Sequence, residues 1–258
     1  MNRPFRIMML GVGNGFCKST YHNNALIETQ GQLFMIDCGA LAWHSLHEAG
    51  YGFDDIEGIF ITHLHYDHCG GLEEAALYGS YAAHRKMKLF VPTPLKGILW
   101  ERYLRGTLEN VTEGKTSLDD YFEVQWVKED ELFSFCSSGN SETDWMPQAS
   151  TARWIQTCHV PSKFSCSLIL EERFFYSSDM QADQELVCGL FSQGIETFYH
   201  DSCFTPNPVH ADFDTLCEYP EEIRNRLYLM HYGEAPIGMT GTGLQGMTLL
   251  RQHEWLSW

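Results

Sequence analysis

The run Thr62-His63-Leu64-His65-Tyr66-Asp67-His68 sets three imidazoles and a carboxylate within six residues, directly behind a short apolar segment. Imidazole nitrogens and carboxylate oxygens are the donors that zinc, manganese and iron accept. Histidines two residues apart point the same way only on extended backbone, so Ile59 to Thr62 is predicted to be a strand that delivers His63 and His65 to one point. A polar loop that merely happens to be rich in histidine is the bland alternative, and the density of donors weighs against it.

Three later residues extend the set. His159 follows an apolar strand candidate ending at Thr157, Asp179 follows Phe174 to Ser177, and His231 follows Arg226 to Met230. Any one of them alone reads as an ordinary surface or hydrogen-bonded side chain. Three at the ends of apolar strands, beside a four-donor loop, match the placement of sites in layered α/β sheets. Two divalent ions held there would supply hydrolytic chemistry, placing positive charge against an ester's oxygens and acidifying water, with no organic cofactor.

The surrounding elements must bring these residues together. Phe5 to Leu10, Asn24 to Thr29 and Leu33 to Asp37 read as a β-meander around the turn Gln30-Gly31-Gln32. Ala40 to Gly50, Leu72 to Tyr78 and Thr93 to Gly106 read as helices, and Lys88 to Pro92, Tyr121 to Val127 and Leu132 to Cys136 as strands. Ser137 to Gln148 is polar and reads as a linker. The alternation then restarts with strands at Arg153 to Thr157, Cys166 to Glu171, Phe174 to Ser177, Glu196 to Tyr199 and Arg226 to Met230, and helices at Ala182 to Ser192 and after His210. Two such rounds predict an α/β fold of one domain over residues 1–258, an αββα sandwich with two mixed sheets face to face and helices outside.

Bulk properties narrow the partners. Seventeen basic residues against 34 acidic ones give a net charge of −17, which repels extended nucleic acid and leaves small anions open as substrates. The chain has no apolar run long enough for a membrane span and no signal-peptide pattern near Met1, so a cytoplasmic protein, with no membrane partner, is expected. Nine cysteines without a C-x-x-C pair suggest reduced thiols; Cys69 and Cys158 stand beside candidate ligands. Gly11-Val12-Gly13-Asn14-Gly15 is either a turn needing positive φ or a close backbone approach to phosphate.

The motif H-x-H-x-D-H, followed by a lone His, a lone Asp and a lone His, resembles the metallo-β-lactamase superfamily over essentially the whole chain. The resemblance implies that His63, His65 and His159 hold one metal ion and Asp67, His68 and His231 the other, with Asp179 bridging. Zinc is the first expectation, with manganese or iron as alternatives, and Asp67 would also accept the proton of the attacking water. The stretch Leu10 to Gly15 with Asn23-Asn24, and His200-Asp201-Ser202 with His210, is similar to the ribonuclease Z branch. By that likeness His210 protonates the leaving oxygen and the protein is a homodimer; by itself His210 reads equally as a surface histidine at a helix start. Only twenty residues separate Asp179 from His200, without the arm that grips transfer RNA in that branch.

Gly70-Gly71-Leu72-Glu73-Glu74 and Tyr228-Leu229-Met230-His231-Tyr232-Gly233 resemble the anti-Pycsar proteins, phosphodiesterases of phages and bacteria that hydrolyse cyclic nucleotides. The expected substrate is then a small cyclic mononucleotide: cCMP or cUMP, with cAMP and cGMP also open. A ribonuclease Z-like endonuclease, or a lactonase or thioesterase of the same fold, is the alternative. Tyr66, inside the motif, is expected to point away from the metals, and only Tyr232 to Trp258 follow the last ligand, which weighs against the ester-cleaving branches.

Overall fold

The computed structural model describes residues 5–137, 149–233 and 244–258. Among these, fourteen strands form two seven-stranded sheets. The first contains β1 (Arg6–Met9), β2 (Ala25–Thr29), β3 (Gln32–Ile36), β4 (Ile56–Phe60), β5 (Met87–Pro92), β6 (Phe122–Val127) and β14 (Trp255–Ser257), in the order β14-β1-β2-β3-β4-β5-β6. The second contains β7 (Phe133–Ser137), β8 (Ala149–Gln156), β9 (Cys166–Leu170), β10 (Phe174–Tyr176), β11 (Thr197–Asp201), β12 (Leu227–Met230) and β13 (Thr248–Leu249), in the order β13-β12-β11-β10-β9-β8-β7.

Each sheet begins as an antiparallel meander and continues in parallel, switching at β3 in the first and β10 in the second. The meander turn at Gln30-Gly31 has φ of 53° and 75°, the left-handed pair that a tight hairpin needs. Parallel strands need crossovers, which carry the helices α1 (Ala42–Glu48), α2 (Tyr66–Cys69), α3 (Leu72–Tyr78), α4 (Arg105–Leu108), α5 (Gln184–Ser192), α6 (Phe213–Cys217) and α7 (Glu221–Arg224).

Side-chain alternation assigns the layers. Along β1 to β5, Ile7, Met9, Ala25, Ile27, Phe34, Ile36, Phe60 and Phe90 face the second sheet. Met8, Leu26, Met35, Ile59, Leu89 and Val91 instead pack with α1 and α3. In the second sheet Trp154, Leu168, Phe174, Tyr176 and Tyr199 meet the first sheet, while Ile169, Phe175, Phe198 and Leu227 pack with α5 and α6. Strands buried on both faces in this way produce the expected αββα order of layers.

Several boundaries differ from the sequence expectation. The strand placed at Ile59 to Thr62 runs Ile56–Phe60, because its pairing with β3 and β5 ends there. The helix placed at Thr93 to Gly106 is broken into a 3-10 turn at Thr93–Leu95, a wide π-type coil at Leu99–Leu104, and α4. Gly97, at φ 80°, stops helical propagation between the first two. The polar linker, apart from Ser137 at the end of β7, falls outside the described residues. No sequence pattern announced β13 and β14, which are short and half-exposed.

Between the sheets Phe60 stacks on Phe90 with centroids 4.7 Å apart and meets Phe135 edge-on at 5.1 Å. Phe60→Ala is expected to lower unfolding free energy by about 3–5 kcal/mol, since a buried ring leaves a cavity that the two sheets cannot close. Urea denaturation followed by circular dichroism measures it; a loss below about 1 kcal/mol would mean that this cluster does not hold the sheets together.

Candidate metal centre

The donor-rich loop leaves β4 at Phe60 and stays extended through His65 (φ −79°, ψ 152°) before one turn of α2. Extended backbone sets His63 and His65 side by side, with Nε2 and Nδ1 3.0 Å apart. The following turn lifts Asp67 and His68 toward a second point. Asn24 holds this loop: its Nδ2 donates to the Asp67 carbonyl at 2.9 Å and its Oδ1 accepts from the Gly39 amide at 2.8 Å. A Cβ on Gly39 would lie 2.0 Å from the Asp67 carbonyl oxygen, so only glycine permits that approach.

The second sheet supplies the other donors. His159 follows β8, Asp179 follows β10 and His231 follows β12. His159 Nε2 lies 3.3 Å from His65 Nδ1, and Asp179 Oδ2 lies 3.8 and 3.7 Å from the Nε2 atoms of His63 and His159. Around the second point, Asp67 Oδ2 is 3.6 Å from His68 Nε2 and 3.7 Å from His231 Nε2; Asp179 approaches His68 at 3.1 Å and His231 at 3.4 Å. His63, His65, His159 and Asp179 form one group whose donor atoms lie within 4.8 Å of one another, and Asp67, His68, Asp179 and His231 a second. All seven residues expected as ligands are thus brought together, and Asp179 belongs to both groups.

The buried atoms suit a pair of cations. His68 Nε2, Asp179 Oδ1 and His231 Nε2 are buried without a hydrogen-bond partner, although His68 Nε2 lies 3.1 Å from Asp179 Oδ1 and His231 Nε2 3.4 Å from Asp179 Oδ2. A buried polar atom left unpaired costs about 1–3 kcal/mol, so three such atoms around one point fit a site completed by ions. Burial and the neighbouring His68 hold His63 well below the usual imidazole range, and burial also depresses His65 and His159. Those three rings are neutral and offer lone pairs. His68 and His231 go the other way: burial opposes their protonation, but Asp179 and Asp37 hold His68 well up, and Asp179 and Asp201 push His231 up to about 10. Asp67 and Asp179 are held below the carboxylate range against burial, by His231 and His68.

Two residues emerge that the sequence reading did not place in the site. Asp37, directly after β3, accepts from His68 Nδ1 at 2.7 Å and from the Thr62 amide at 2.9 Å, so it fixes which His68 nitrogen faces the centre. Asp201, closing β11, accepts from His210 Nδ1 at 2.7 Å and from the Met180 amide at 3.0 Å; its other oxygen lies 3.4 Å from His231 Nδ1. Both are carboxylates at the end of an apolar strand, the signal that had selected Asp179. His159 Nδ1 donates to the Val209 carbonyl at 2.6 Å, which leaves Nε2 for the centre.

A cleft of about 650 Å³ opens over the centre, with Asp67, Asp179, His210 and His231 in its wall. His210 stacks on His231 at 4.6 Å and packs against His159 at 4.7 Å. Tyr66 also lines the cleft rather than pointing away, and its hydroxyl is committed to the Gly15 carbonyl. Gly11, Gly13 and Gly15 have no positive φ. Their role is close approach, but to protein: a Cβ on Gly15 would lie 2.9 Å from Asp67 Oδ2. All nine cysteines are free thiols; Cys69 donates to the His65 carbonyl at 3.2 Å, and Cys158 is exposed. Buried His200 donates through Nδ1 to the Asp201 carbonyl at 2.7 Å and lies outside the cleft wall.

A family model for anti-Pycsar protein Apyc1 matches residues 5–256. The chain is 37% identical over 229 residues to the anti-Pycsar protein Apyc1 of Paenibacillus harenae, covering 88% of this chain and 90% of that one. To the anti-Pycsar protein Apyc1 of Bacillus phage 010DV004 it is 36% identical over 265 aligned residues, covering 97% and 100%. Among solved structures, a diphosphatase of the PhnP family superposes with a TM-score of 0.71 at 15% identity, over 99% of this chain and 97% of the other. The metallo-β-lactamase fold protein YhfI from Bacillus subtilis superposes at 0.69 and 13% identity, over 99% and 100%. These structural likenesses establish the metallo-β-lactamase fold.

Zinc or manganese added to metal-free protein is expected to raise Tm, by an amount equivalent to about 4 kcal/mol at a thousandfold excess over Kd. Gly15→Ala, which crowds the Asp67 carboxylate, should weaken metal affinity about tenfold or more with unchanged circular dichroism. Thermal melts with and without metal read the first and chelator competition the second, and unaltered affinity in the variant would remove Asp67 from the ligand set.

Proposed function

The chain belongs to the anti-Pycsar protein Apyc1 family, and from that premise we propose that it is a phosphodiesterase that opens 3′,5′-cyclic mononucleotides, cCMP and cUMP first, with cAMP and cGMP also accepted. The observation that carries the reading is the pairing of two donor groups through Asp179 beneath a cleft whose wall holds a histidine fixed by a buried carboxylate.

Two divalent ions, zinc before manganese or iron, would be held by His63, His65 and His159 on one side and by Asp67, His68 and His231 on the other, with Asp179 shared. When bound, such a pair supplies positive charge to phosphate oxygens and acidifies water. The chain's own residues supply the proton traffic. Asp67, partly open to the cleft, accepts the proton of the attacking water. His210 keeps a proton on Nδ1 for Asp201 Oδ2, which leaves Nε2 as the ring nitrogen that carries a proton to the departing ribose oxygen.

Charge and topology favour a small substrate over transfer RNA. The segment between Asp179 and His200 is occupied by α5 and its short flanks, so no gripping arm extends there, and the body carries a net charge of −17. Among the described residues no helix is long and apolar enough to cross a membrane. The proposal places the enzyme in the cytoplasm of a bacterial cell or phage-infected host, as a homodimer; light scattering that reads a single-chain mass would remove the dimer.

Chromatographic assay of the metal-loaded protein against cCMP, cUMP, cAMP and cGMP, with precursor transfer RNA and a lactone as comparators, is expected to show nucleotide opening alone. RNA cleavage alone, or lactone opening alone, would replace the reading. Asp67→Ala should abolish turnover with the fold intact. His210→Ala should lower kcat by about 10²–10⁴-fold, the usual range for a lost general acid; unchanged kcat would take His210 out of the mechanism.

A further inference from the structure

Phe16 is the most exposed large hydrophobic side chain among the described residues, at 84%. It stands in the wall of the cleft above the metal centre. Exposed aromatic rings are ordinary on mobile surface loops, but this loop is fastened on every side. The Phe16 amide donates to Asn14 Oδ1 at 3.0 Å, and the Cys17 amide to the Asn14 carbonyl at 3.0 Å. Tyr66 donates its hydroxyl to the Gly15 carbonyl, and Cys17 Sγ lies 3.3 Å from Ser19 Oγ. The Gly13 amide donates to the Tyr21 carbonyl at 3.0 Å, and the Gly13 carbonyl accepts from the Asn23 amide at 3.0 Å. The backbone is held while the ring is left without a partner: no other aromatic ring or cation packs on Phe16 among the described residues.

We infer that Phe16 is the platform on which the nucleobase of the substrate stacks. The inference rests on the cyclic-nucleotide reading and assigns the contact that reading leaves open. A Cβ on Gly15 would lie 2.9 Å from Asp67 Oδ2, so the backbone passes beside the metal centre at Gly15, and Phe16 is the next residue, its Cα about 3.8 Å from that of Gly15. Phe16 and the donors Asp67, Asp179 and His231 line the same cleft, so a phosphate over the centre and a base on Phe16 would be parts of one bound nucleotide. A ring face recognises any base by its π surface and needs no matched donors and acceptors. The two carboxamides on the cleft wall already use their oxygens within the protein, Asn14 Oδ1 for the Phe16 amide and Asn207 Oδ1 for the Val209 amide at 3.0 Å. Stacking on Phe16 therefore adds affinity for all four bases alike, and any preference among them comes from other groups of the cleft wall.

Steady-state kinetics of the metal-loaded protein test this, with wild type, Phe16→Ala and Phe16→Trp assayed on cCMP, cUMP, cAMP and cGMP, and on ribose 3′,5′-cyclic phosphate lacking a base. Phe16→Ala is expected to raise KM for all four nucleotides by roughly five- to a hundredfold, the range for losing one base–aromatic stack, with kcat within about twofold. KM for the base-free sugar phosphate should not move, and Phe16→Trp should restore the nucleotide KM values. Unchanged nucleotide KM in Phe16→Ala overturns the inference while leaving the phosphodiesterase reading intact. An equal loss on the base-free compound, or a loss that tracks a change in oligomeric mass, assigns Phe16 to the loop or to an interface and also overturns it. A wild type that opens no cyclic nucleotide removes both.

Discussion

A fully buried carboxylate sets the terms for the rest of the molecule. Asp179 approaches His63, His68, His159 and His231 at 3.1 to 3.8 Å, with 2% of its side chain exposed. A buried charge costs several kcal/mol unless compensated at close range, so four imidazoles from three other chain segments must arrive at this one residue. The two sheets do that by bringing the ends of β4, β8, β10 and β12 to a single rim. The chain turns sharply there: Asp37, Ser178 and His231, each one or two residues beyond the end of a strand, take φ of 63°, 52° and 61°. Left-handed backbone at non-glycine residues costs of order 1–3 kcal/mol each and persists only where its surroundings over-determine it. The surroundings are visible: Asp37 holds His68 and Thr62, and Ser178 Oγ lies 2.8 Å from Thr62 Oγ1.

The donors of this centre were legible because they combine a restricted set of chemistries with a restricted position. Histidine and aspartate directly after an apolar strand are few enough to pick out, and His63, His65, His68 and Asp67 identify themselves by density. The layers were legible because β1 to β5 alternate strictly, even where both faces are apolar, and the two rounds of strand and helix have distinct turn residues between them. The residues that position the donors were hidden. Asp37 and Asp201 carry the same strand-end signal as Asp179, but among 34 acidic residues it is their partners, His68 for Asp37 and His210 for Asp201, that give them a role. The glycines of residues 11–15 were read either as a turn with positive φ or as a close backbone approach to phosphate; the close approach is there, but to atoms of the protein itself, and no local pattern encodes that. The broken helix after Thr93 shows the same limit, since one glycine at φ 80° outweighed a helical spacing of apolar residues.

The acidic chain repels long polyanions, while two divalent ions at the seven donor residues would return positive charge to one point and draw a single small anion there. Selection for small substrates is thus partly a property of the whole surface, and only partly of the cleft.

The distribution of donors along the chain carries a consequence for biosynthesis. Residues 63–68 follow β4 of the first sheet, and the remaining donors follow β8, β10 and β12 of the second. Contacts between segments so far apart in sequence form late in folding, after the local hairpins and helices. A nascent chain presents three histidines and an aspartate with nothing opposite them until its last parallel ligand strand, β12, has been made and has docked. The site is consequently complete only once β12 has docked, late in the chain. A fragment that stops short of β12 lacks His231 opposite the donors of residues 63–68, even when β1 to β6 are paired.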